Sequence, residues 1–148
     1  MTEITMGPRI RETNPELIRL FIMGGFSEFT VTSLKSHKWV SFRVVKSKNW
    51  AHMYHVQSLS GRGKYLYLTS IFNLEVKRYP TKVPSMPAGS TYEVFFKWLF
   101  RKIVIEKILP HNVLFDRSTR CCRCGGKLTN PKSIAHGMGK KCQFKVKG

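Results

Sequence analysis

Four cysteines, Cys121, Cys122, Cys124 and Cys142, fall within the last 28 of 148 residues. Cys121 and Cys124 stand in C-x2-C spacing, with Gly125 and Gly126 directly after. Two thiolates so spaced can take two corners of a zinc tetrahedron while the N–H groups of the turn point at the sulfurs, and a glycine after the second thiolate accepts the left-handed backbone this requires. Asn130-Pro131 reads as the start of a short helical turn over residues 132–136, which Gly137 ends, and Cys142 follows. The simplest ligand set is therefore Cys121, Cys124, His136 and Cys142, one closed structural Zn2+ site with no open position for water. The competing readings are buried thiols for the cysteines and a solvent- or phosphate-facing imidazole for His136. Cys122 could replace Cys121 only at a shorter and less usual spacing, so it reads as a neighbour that packs or stays free. A disulfide-stapled secreted domain would spread its cysteines through the fold and follow a signal peptide. The segment MTEITMGPRIRE has no apolar core after basic residues, so a reducing compartment is expected.

Charge narrows the partner. There are 26 Lys and Arg against 8 Asp and Glu, a formal net charge of +18. Residues 1–30 carry three bases and four acids, whereas residues 117–148 carry nine bases and no acid. So many like charges cost stability unless a counter-anion is present, which favours a polyanion such as DNA or RNA over a merely solvated face. The candidate phosphate contacts are Arg117, Arg120, Arg123, Lys127, Lys132, Lys140 and Lys141 in the tail, with Arg62 and Lys64 in a turn of the body. Tyr54, Tyr65, Tyr67 and Trp50 could stack on unpaired bases, or simply pack in the core. No apolar run approaches the roughly 18 residues of a membrane span, so no membrane partner is expected.

The tail resembles a C-terminal motif of small uncharacterised bacteriophage proteins. It is carried by Cys121-x-x-Cys124-Gly125, then Leu128-Thr129-x-Pro131-x-Ser133-Ile134, then Gly137-x-Gly139, then Cys142. The stretch from Phe29 to Phe72 is similar to the β-rich body that precedes this motif in those proteins. The resemblance implies a zinc-binding tail, with Cys121, Cys124 and Cys142 as its thiols, on a small β-rich domain of unknown activity. It also implies action in the cytoplasm of an infected bacterial host. His136 is not fixed in the motif and enters the ligand set on its spacing alone.

The elements that would position these groups can be read from patterning. Asn14 can cap a helix that begins at Pro15 and that Gly24 and Gly25 stop. Residues 29–32, 39–44, 53–56 and 65–68 form short β-branched and aromatic runs separated by turns, which predicts an antiparallel meander. Three prolines in residues 79–89 mark a loop. Ser90 and Glu93 then match a capping box, opening a helix whose inward stripe is expected through Val94, Phe95, Trp98, Leu99 and Val104. Residues 113–115 read as a short strand before the cysteines. The expected fold is α+β: an antiparallel β-meander packed by one or two helices over residues 1–112, with a zinc-knuckle and short-helix module over residues 113–148.

An enzyme needs placed titrating groups. Asp116 is the only Asp, which leaves little for a carboxylate-based nuclease. His52, His55, His111 and Arg62 could assemble on a phosphodiester, but their spacing does not require it. The sequence contains no P-loop, no G-x-S-x-G and no H-E-x-x-H. The expectation is a non-catalytic, zinc-stabilised nucleic-acid-binding protein. The rival is a phage inhibitor or adaptor that docks on a host protein such as a defence nuclease, whose acidic surface would suit the same charge.

Overall fold

The computed structural model describes residues 9–128, 132, 134, 137 and 138. Its centre is one seven-stranded sheet in the order β1-β7-β2-β3-β4-β5-β6. The strands are β1 Arg9–Glu12, β2 Phe26–Ser33, β3 Trp39–Lys46, β4 Met53–Leu59, β5 Tyr65–Phe72, β6 Glu75–Lys77 and β7 Val113–Ser118. All pairings between these strands are antiparallel. The run from β2 to β5 is the expected meander, and β6 extends it by a strand the patterning did not announce. The turn between β5 and β6 uses Asn73 and Leu74 at φ 50° and 63°, the left-handed pair that a tight hairpin needs.

Strand β7 departs from the expected organisation. It lies inside the sheet, paired to β1 on one side and β2 on the other. Residues 113–118, assigned by sequence to the C-terminal module, are thus part of the sheet. Their burial explains this: Val113, Phe115, Arg117 and Ser118 are all buried, and Phe115 stacks on Phe29 at 4.9 Å between ring centroids.

Two helices cover one face. Helix α1, Pro15–Ile22, starts where the side chain of Asn14 accepts the N–H groups of Glu16 at 2.9 Å and Leu17 at 3.4 Å. Helix α2, Thr91–Phe100, runs on into a π-helical turn over Arg101–Ile105. Ser90 accepts the Glu93 N–H at 3.4 Å, while the Ser90 N–H donates to the Pro87 carbonyl, so only half of the capping box forms. The inward stripe of α2 matches expectation at Leu99 and Val104, with Phe95 and Trp98 partly packed, but is otherwise shifted. Phe96, Leu99, Phe100, Ile103 and Val104 are buried, whereas Val94 is 61% exposed. The segment VFFKWLF is apolar nearly all round, so helical periodicity alone admits either stripe. Ile18, Phe21 and Ile22 of α1 and the buried stripe of α2 close over Phe29, Val31, Phe42, Val44, Val56, Leu68, Ile71 and Phe115.

Candidate metal and nucleic-acid site

The chain leaves β7 into a tight reverse turn. Arg120 and Lys127 pair as an antiparallel bridge. Inside it the Cys121 N–H donates to the Gly126 carbonyl at 2.8 Å, and the Gly125 N–H donates to the Cys121 carbonyl at 2.9 Å. Gly125 sits at φ +77°, the left-handed position expected after the second thiol. Cys121 and Cys124 therefore lie at the two ends of one closed turn. Cys121 is buried, Cys124 is exposed, and a Cβ on Gly126 would lie 3.3 Å from the Cys124 sulfur.

This donor pair fits a structural zinc. Among the described residues, Cys121 forms a small cluster with buried Leu128, and Ile134 and Met138 pack partly against it. A cluster of that size contributes little burial free energy of its own, so a metal cross-link has room to matter. The remaining predicted ligands, His136 and Cys142, lie outside the described residues. Among the described residues no three His, Cys, Asp or Glu side chains form a metal-binding group.

Cys122 behaves as the packing neighbour it was read to be. It belongs to the main core, its N–H donates to the Gly137 carbonyl at 2.8 Å, and its carbonyl accepts from Phe26 at 2.8 Å. Burial pushes its thiol up to about 11. The turn is docked on the sheet through glycines. A Cβ on Gly24 would stand 2.5 Å from the Cys122 oxygen, and one on Gly25 would stand 2.9 Å from that of Arg123. A Cβ on Gly125 would strike the Phe26 ring at 2.9 Å. Sequence reasoning gave Gly24 and Gly25 only the role of ending α1. Two consecutive glycines where one would stop a helix were the available signal of a second backbone coming close.

The candidate phosphate contacts divide. Arg120, Arg123, Lys127 and Lys132 are exposed, as are Arg62 and Lys64 in the turn between β4 and β5. Arg120 also donates to the Gly125 carbonyl at 3.0 Å, bracing the turn. Lys140 and Lys141 lie outside the described residues. Arg117 is a correction. Expected on display, it is 4% exposed, because it stands on the helix-covered face of β7. Its guanidinium donates to the Ile134 carbonyl at 2.8 Å, lies 3.8 Å from Glu12 and sits 5.8 Å from the Phe21 ring centroid. Burial lowers its pKa, with Glu12 acting against the shift. It ties the tail to the body from within.

Most carboxylates are already paired within the chain. Glu12, Glu16, Glu28, Glu106 and Asp116, five of the eight, sit in ion pairs, and Glu93 is buried. Of the predicted stacking aromatics, Tyr54 is half-buried and donates its hydroxyl to the Met23 carbonyl. Tyr65 is covered by the Arg43 guanidinium at 4.1 Å, and Tyr67 is buried. Trp50 is 65% exposed. His52 and His55 line different clefts. No helix among the described residues is long and apolar enough to cross a membrane.

Comparison with known proteins adds one finding. Residues 115–147 match the model of DUF6011, a family of unknown function. The match begins within β7 and takes in the cysteine turn, so this part of the chain is similar to that family. No curated protein and no solved structure matches the chain.

Proposed function

We propose that this is a zinc-stabilised basic protein that binds nucleic acid without catalysis, acting in the cytoplasm of a bacterium infected by a phage. The observation that carries it is the charge ledger of the folded chain. At +18, with five of eight carboxylates already paired within the chain, the excess bases have few acids to meet and the surface is cationic. Such a surface gains free energy by releasing the counterions of a phosphate backbone. In this reading Cys121 and Cys124 hold one Zn2+ together with His136 and Cys142. The metal supplies a structural cross-link and no chemistry on a substrate. The turn it fixes carries Arg120, Arg123 and Lys127, with Lys132, Lys140 and Lys141 beyond it, while Arg62 and Lys64 extend the basic surface on the body.

The second reading, a phage inhibitor that docks on an acidic host protein, is favoured by the same charge and by exposed Leu17, Leu20, Ile105 and Ile108. A gel-shift series with unrelated DNA and RNA at rising salt separates the two. Binding at low salt that fades steeply supports nucleic acid. No binding at any salt, with a host protein retained stoichiometrically by the purified chain, supports the inhibitor.

A further inference from the structure

The sheet face opposite the helices holds a cleft of about 690 Å3 whose described lining includes no residue of the metal turn. Its floor is four side chains of β4 and β5: His55, Gln57, Tyr67 and Ser70. Three of them are wired together. The Tyr67 hydroxyl accepts the Tyr79 N–H at 3.3 Å and shares a 2.8 Å hydrogen bond with the Ser70 hydroxyl. That hydroxyl stands 3.4 Å from the Nδ1 of His55. The fourth is not: the Oε1 of Gln57 is shielded from solvent and has no hydrogen-bond partner. An amide oxygen left so is an unmet acceptor, which a ligand donor would satisfy. A register shift between Val56 and Gln57 aims this end of β4 differently from the rest of the ladder.

The walls are aromatic. Trp50 stands on the loop between β3 and β4, Phe72 at the end of β5, and Tyr79 on the loop after β6. That loop is fastened by Arg78, which donates to the Leu68 carbonyl at 2.9 Å and to the Ser85 hydroxyl at 3.4 Å. Cations flank the walls: Lys77 lies 5.6 Å from the Tyr79 ring centroid, and Lys48 and Lys82 are exposed on the two loops.

We infer that this cleft receives one unstacked nucleobase, with Trp50 as its stacking platform, the Gln57 amide as the group that reads its edge, and the flanking lysines on the adjoining phosphates. Flat rings between aromatic walls, a polar edge that needs a partner and phosphates on either side are the chemistry of a nucleotide. The inference rests on the nucleic-acid reading for a strand as the source of the base, the other source being a free mononucleotide.

The test measures fluorescence anisotropy with the full chain, using single-stranded DNA and RNA, an abasic strand of equal length, and adenosine and uridine monophosphates as competitors. The natural strands are expected to bind roughly five- to a hundredfold more tightly than the abasic one. Trp50→Ala and Gln57→Leu are expected to remove most of that difference while leaving the abasic affinity and the melting temperature of Trp50→Ala unchanged. Natural and abasic strands binding alike, or Trp50→Ala affecting neither, would overturn the cleft and leave the nucleic-acid reading standing. Mononucleotide binding that needs Trp50, with no strand bound, would support the cleft and overturn that reading. No binding of strand or mononucleotide overturns both.

Discussion

Arg117 and Lys127 are both cations of the tail, yet their surroundings assign them different tasks. Arg117 is enclosed by Phe21, Glu12 and the Ile134 carbonyl, so Arg117→Ala empties a buried site and removes both the ion pair to Glu12 and the hydrogen bond that ties Ile134 to the sheet. A loss of about 3 kcal/mol is expected, a melting temperature lower by roughly 2–4 °C per kcal/mol at this chain length. Lys127 is exposed, so Lys127→Ala should shift stability by no more than about 0.5 kcal/mol while flattening the salt dependence of nucleic-acid binding by about one unit of slope. Calorimetry and a salt titration on both variants check the contrast, and a destabilised Lys127→Ala would refute it. Gly24 gives a third expectation. Its missing Cβ is what lets the Cys122 oxygen approach to 2.5 Å of that position, so Gly24→Ala should cost roughly 1–3 kcal/mol by overpacking, read as a lowered urea midpoint.

Among the elements, what could be read from sequence was what local rules decide. The Asn14 cap and Pro15 start of α1, the meander from β2 to β5 and the strand after residue 113 all follow from propensity, capping and alternation. Three things depend on the partner instead. Strand β1, RIRE, is four residues with three charges and pairs only because β7 offers it an edge. Strand β7 reads as a lead into the cysteines, and its place between β1 and β2 is a long-range contact no local pattern announces. The buried stripe of α2 is chosen by the sheet beneath it. At the site, C-x2-C-G gave the turn and its left-handed glycine, while the docking of Cys122 into the main core was hidden because all four cysteines sit in one segment. The element boundary carries its own prediction. With Cys124→Ser, or with zinc removed by a chelator, amides beyond residue 120 should lose hydrogen-exchange protection while those of β7 and β2 keep theirs. Loss of protection throughout the sheet would show that tail and sheet form one cooperative unit.

For the whole molecule the decisive quantity is net charge after internal pairing. A chain at +18 pays for its own compactness in self-repulsion, so a polyanion that binds the native state should raise its melting temperature by mass action. The sharpest test is the slope of log affinity against log salt for a short single strand. If the exposed cations of the turn and tail meet about four or more phosphates, the slope is about −3 or steeper. Binding that does not change with salt, or no binding at low salt, would contradict the proposed function at its root.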